Sequence, residues 1–260
     1  MDWQTYDHYL FAAAALVGTF AAAIVLIRVL EAPRWAAQVG AMAGVVPPFI
    51  NVLGVLFGLT LAFLANDTWS AHDRALSAVN HEADALRAIS ILASHLPAQD
   101  ATRVSAAARG YAGAAVAEWP LLSHRHSSPE ASAAADKLLA VLSEPRLLAQ
   151  SGPAVSGQEI ALALAVRDGR ETRLSLSQTH VNPLKWTGMA VLGFLTMVSV
   201  AVVHAGAPRK GGLGPMRVAV AIFALASAPT AVIVLVHGNP FQRPAAISPA
   251  PLTAILDTAR

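Results

Sequence analysis

The segment from His72 to Asp84 gathers the residues best suited to chemistry: His72, Asp73, His81, Glu82 and Asp84 fall within thirteen positions. A zinc-protease helix needs a second His four residues after a His-Glu pair, so that both ligands share one face, and His81-Glu82 lacks it. His72 and His81 are nine apart and point to different faces of a helix. The segment therefore reads as a solvated helix surface that pairs its charges locally, with no metal site. His124 and His126 lie in a Ser-rich loop with no carboxylate fixed beside them. Arg167, Arg170 and Arg173 alternate with Asp168 and Glu171, which predicts a mixed solvated face rather than a patch that steers anions. Glu118-Trp119-Pro120 reads as a helix end without chemistry. The absence of cysteine removes thiol nucleophiles, disulfides and thiolate metal sites together. There is no Gly-rich phosphate loop, no Gly-x-Ser-x-Gly elbow and no pair of carboxylates in an apolar setting, so neither an enzyme nor a cofactor is expected.

What remains is the chemistry of an apolar surface. In Pro47 to Phe63, residues recur at four-residue intervals in two adjacent rows. Gly54, Gly58 and Ala62 are small; Val55, Leu59 and Phe63 are large and apolar. Small residues in register let helix backbones approach closely, which matters in lipid, where no hydrophobic drive pulls apolar helices together. Periodicity leaves two readings open: both rows pack the helices of one subunit, or the large row lines an axis between copies as a narrow apolar ring that gates by dewetting. Asn51, one turn earlier, would offer a neutral donor to a dehydrating anion or a hydrogen bond to a neighbouring helix. His204 and His237, near the ends of apolar stretches, are candidates for pH-sensitive groups.

These residues require membrane helices to position them. Of 260 residues 55% are hydrophobic and only 13% charged, about half the charge of an ordinary soluble domain. Residues 66–183 hold ten of the 18 basic and twelve of the 16 acidic residues. The flanks carry four uncharged stretches, 9–27, 35–66, 186–207 and 218–242, each long enough to span a bilayer, which predicts helices near 9–30, 46–66, 185–206 and 217–237. The residues before the first stretch include Asp2 and Asp7 and no Lys or Arg, against a secretory signal. The fold class expected is all-α: four transmembrane helices with a helical domain inserted between the second and third. The divisions are 1–66, a first transmembrane pair; 67–183, the helical domain; 184–238, a second pair; and 239–260, a C-terminal tail. No Pro or turn cluster interrupts Asn51 to Leu96, which predicts one long helix ending before Pro97. Further helices are expected at about 99–119, stopped by Pro120, at 129–150, stopped near Gly152-Pro153, and at 156–182. The net charge of +2 is too mild and too evenly spread for a nucleic-acid partner. Basic residues near the membrane ends number five on one side and seven on the other, which leaves orientation open.

Pro48-Phe49, then Leu53-Gly54-Val55, Leu59 and Phe63 resemble the neck helix of the bestrophins, pentameric anion channels with four membrane helices per subunit. Trp69 and Asp73-Arg74 follow, as in the cytoplasmic extension of that helix, and Asn239-Pro240-Phe241 with Pro249 and Pro251 resembles the segment after the last bestrophin membrane helix. The bacterial bestrophin-like family is nearer still. Its pattern is similar to Ala62 to Ala83, to Tyr111 with Glu118-Trp119-Pro120, and to Phe241 with Pro249. The resemblance covers nearly the whole chain. It implies a homo-oligomer, a pentamer, in the bacterial inner membrane, with both termini and the central domain cytoplasmic. It further implies that small anions such as chloride pass a neck of Val55, Leu59 and Phe63, with Gly54, Gly58 and Ala62 allowing close packing. The chain departs from the bestrophin pattern at Leu64, where an Arg is usual, and at Gln242-Arg243-Pro244, which lacks the acidic calcium-binding cluster of eukaryotic members. Calcium gating is not implied. A non-conducting scaffold or sensor, whose cytoplasmic helices bind a partner, is the alternative.

Overall fold

Prolines open most of the helices, since the first helical turn needs no donor from them and their fixed φ already suits it. In the computed structural model, which describes residues 6–35, 38, 41, 47–205 and 214–257, the chain is helical throughout. Helix α1 runs Asp7–Glu31 and passes through Ala32 and Pro33 into a short 3-10 turn. Helix α2 is Pro47–Ala93, 47 residues or about 70 Å without interruption. Then come α3 (Ala98–Ser123), α4 (Pro129–Leu142), α5 (Pro145–Ser177), α6 (Pro183–Ala205), α7 (Pro215–Val236) and the short α8 (Ala250–Asp257). No strand occurs among the described residues. Four helices, α1, α2, α6 and α7, are long and apolar enough to cross a membrane. Prolines 47 and 48, His204 and the expected spans fall in or beside these helices, whereas parts of the 46–66 and 185–206 stretches, residues 46 and 206, lie outside the described residues.

The chain forms two compact units. The first comprises residues 1–69 and 180–238, the second residues 70–179 and 239–260. In the first, α1 packs on α6 and α7, and α6 on α7. Ala23, Leu26, Met197, Ala201 and Val220 form one buried cluster, and Leu64, Ala65, Met189 and Val234 another. Polar ties close both ends of α1: Asp7 accepts the Val181 N–H at 3.0 Å, and Glu31 takes two bonds from Arg217 at 2.8 and 2.6 Å. The Asn182 side chain caps α6 by accepting the N–H groups of Leu184 and Lys185.

The second unit buries Leu86, Ile89, Val104, Tyr111, Leu138, Leu142, Leu147 and Val166 in one core. Two expected boundaries shift here. Pro120 does not end α3, which gains another turn because Leu122 is buried with Ala75 and Phe241. The 129–150 helix is itself divided, since α4 stops at Leu142 and Pro145 starts α5, whereas the expected break at Gly152-Pro153 is present: Gly152, with a φ of 75° that glycine tolerates, is non-helical, and α5 is two helical segments that meet there. Ser128 caps α4, its hydroxyl accepting the Ala131 N–H at 3.2 Å. Residues 239–257 also fold into this unit. Asn239 donates to the Ser177 carbonyl at 3.1 Å, the Trp119 indole donates to the Ile247 carbonyl at 2.8 Å, and α8 buries Leu252 and Ile255 in the core.

Candidate functional site

Helix α2 packs inside its unit with only one side. Leu64 and Ala65 are buried, and the Phe57 ring lies against α6 at Gly193, where a Cβ would stand 2.8 Å from the ring. A glycine is what that approach requires. The opposite side is bare: Val55, Leu59 and Phe63 are 59%, 51% and 69% exposed. Phe49, Val52 and Leu56 are exposed beside them, and Asn51, Gly58 and Ala62 complete an uncovered face about half the helix circumference wide. A side chain added at Gly54 or Gly58 meets nothing within 4 Å. The small row is thus unused inside the subunit, and the large row next to it is unburied.

His204 and His237 each turn the ring Nδ1 to the carbonyl four residues back on their own helix, Val200 at 2.8 Å and Ile233 at 2.7 Å. Each is at the C-terminal end of its helix, His204 in the last turn of α6 and His237 at the C-cap of α7, and neither lies on the α2 face. Among the described residues no three His, Asp or Glu side chains gather as a metal site.

The structure corrects the expectation of solvated charge at Glu82, Arg170 and Arg173, all of which are buried, as is Glu118. Glu82 accepts two bonds from Arg173, each 3.1 Å, and one from the Tyr111 hydroxyl at 2.7 Å. Arg173 also stands 3.3 Å from Glu118, with its guanidinium 5.0 Å from the centre of the Trp119 ring. Glu118 takes two further bonds from Arg170, at 3.2 and 2.7 Å, and the Ser128 N–H at 2.7 Å. Two guanidinium groups thus face two carboxylates, with α2, α3 and α5 each supplying part of the cluster. Close approach is possible because α5 presents Gly169 to α2, where a Cβ would come 3.1 Å from the Glu82 side chain. Burial pushes the Glu82 carboxyl above its ordinary value, and Arg173 and Tyr111 pull it back only in part. Burial also holds the Tyr111 hydroxyl well above its usual range, with the Glu82 charge adding to the effect. Arg167 alone of the three arginines matches its expected setting, half exposed beside Asp136 and Glu171.

Isolated motifs concealed this cluster. Arg170 and Arg173, three apart beside a glycine, share one helix face, and that spacing was the available signal. The segments carrying Glu82, Tyr111, Glu118 and Trp119 are among those that resemble the family pattern.

A family model described as Bestrophin-like domain matches residues 13–252. Among solved structures the fold is similar to that of a bacterial bestrophin homolog from Klebsiella pneumoniae bearing a point mutation, with a TM-score of 0.68, 13% sequence identity and 95% of each chain covered. No curated protein sequence matches.

Proposed function

The chain belongs to the bestrophin-like family, and on that premise we propose that copies assemble around an axis, as a pentamer, with α2 innermost, and pass small anions such as chloride through an apolar neck. The observation that carries this reading is the uncovered face of α2, where a small row with nothing against it flanks a large row left exposed. Lipid would cover large side chains equally well, but it has no use for a small row in register; a neighbouring helix does. In the assembly Gly54, Gly58 and Ala62 take the adjacent subunit, and Val55, Leu59 and Phe63 form three apolar rings about 6 Å apart along the axis. Water leaves such a constriction readily, so its width controls passage. Asn51 lies one turn before Val55 and offers an amide donor to an anion shedding its hydration shell.

The pore lies in the inner (plasma) membrane, with both termini and residues 67–183 on the cytoplasmic side. The chain performs no catalysis and has no resident cofactor, metal or nucleic-acid partner.

Halide efflux from liposomes containing the purified protein tests the proposal, beside a Leu59→Ala, Phe63→Ala variant of matched oligomeric mass. The expected result is flux that rises, or first occurs, in the variant. Absence of flux from both, with the oligomer intact, would overturn the pore and favour a membrane scaffold whose second unit binds a partner.

A further inference from the structure

The first unit contains a cleft of about 430 Å³ between α1, α6 and α7, with Phe57 of α2 at its wall. Small side chains create it: Ala14, Gly18 and Ala22 on α1, Ala190 and Gly193 on α6, and Ala231 on α7. No charged group lines it among the described residues; its lining is mostly apolar, with hydroxyls from Thr19, Thr187 and Ser227, the last donating to the Phe223 carbonyl at 2.8 Å. One end lies at Phe11, Trp186 and Leu235, and the other at Ala22, Met197 and the Phe57–Phe223 ring pair, whose centroids are 5.5 Å apart.

The dimensions select the occupant. Phe11 to Ala22 and Trp186 to Met197 are equal intervals of helix, each about 16 Å long. That is half of a hydrocarbon core about 30 Å thick, so the cleft runs from one interface to the bilayer midplane. Spread over that length, the volume is that of a slot long and wide enough for an extended hydrocarbon chain. Trp186 stands at the outer end, and an indole is a side chain that seats at headgroup level.

We propose that this cleft holds one acyl chain of a membrane phospholipid, from the leaflet that meets the first turn of α1, lying past Trp186 and ending against the Phe57–Phe223 pair. The chain restores the dispersion contacts that the small residues leave unmade on both walls. The proposal does not depend on whether the protein conducts.

The test uses vesicles of phosphatidylcholine carrying a diazirine midway along one acyl chain, with the full-length protein reconstituted and its cross-links mapped by peptide mass. Wild type is expected to label at Ala190 and Ala231 as well as at Val17 and Ile222, which are exposed on the outer surface. Gly18→Leu projects bulk into the cleft from a position where a Cβ meets nothing within 4 Å. It should cut labelling at Ala190 and Ala231 about tenfold and leave Val17 and Ile222 unchanged. If Gly18→Leu does not reach the wild-type oligomeric mass, Ala231→Leu supplies the same comparison, read at Ala190. Labelling at Ala190 that ignores the filling substitution would overturn the proposal in favour of ordinary lipid contact. No labelling at Ala190 in wild type would overturn it too, with a side chain from a second copy then filling the cleft.

Discussion

Arg173 is a large, fully buried cation whose loss is expected to be costly. It is fully buried between two fully buried carboxylates, so Arg173→Met strands Glu82 in the core with only the Tyr111 hydroxyl as donor. Breaking a buried pair from one side costs about 3–5 kcal/mol, and the thermal midpoint of the detergent-solubilised protein should fall accordingly. Glu82 also gives the cluster a pH signature. Its folded-state carboxyl is raised above the ordinary 4.5, chiefly by burial. A proton held more tightly in the folded chain favours folding below the ordinary value, and that contribution is lost as pH rises through the raised value. Glu82→Gln does not titrate, so the midpoint difference, wild type minus variant, should shrink as pH climbs across that window. A difference that widens would mean that Arg173 outweighs burial. At this scale the sequence was least legible. Glu82 and Asp84 are two residues apart and equally acidic, yet one is buried and the other exposed beside Arg87. The helical period puts Glu82 on the face of Val79 and Leu86 and Asp84 on the other, but the arginine that partners Glu82 is set by the position of α5, far away in the chain.

The elements were easier to read, because a long apolar or amphipathic run fixes its helix locally. Each of the four apolar stretches contains a helix close to its expected span, and α2 continues unbroken to Ala93 as the lack of Pro predicted. Boundaries set by tertiary contact were the exceptions: Pro120 loses to the buried Leu122, and α8 carries too little pattern in eight residues to announce itself. Two element-scale predictions follow from these contacts. Gly169→Leu must push α5 from α2, since even a Cβ comes 3.2 Å from the Ala78 carbonyl, and a loss of about 1–3 kcal/mol is expected as a lowered thermal midpoint. Leu252→Ala empties a fully buried site in the core and should cost about 2–5 kcal/mol, with faster proteolysis of the second unit as the companion readout.

For the whole molecule the question is how many copies share the α2 face. A helix with half its surface uncovered and a vacant small row predicts that bulk at Gly58 is tolerated within a subunit and penalised between subunits. Gly58→Leu should leave the helical content unchanged and lower the oligomeric mass measured by light scattering in detergent; a mass unaffected by the substitution would remove the small row from the interface. The membrane class and fold family were legible in composition and in the order of weak motifs, and the family match over residues 13–252 agrees with them. Periodicity left two uses of the α2 face open, because it describes one chain and not its neighbours.

The Trp119–Ile247 hydrogen bond links positions 128 residues apart, and α6 and α7 lie between them in the chain. A ribosome makes Trp119 long before Ile247. The partner for that indole emerges only after both later apolar helices have been synthesised. A nascent chain that stalls in α6 or α7 therefore has an unfinished second unit, with the sites for Phe241 and Leu252 unfilled.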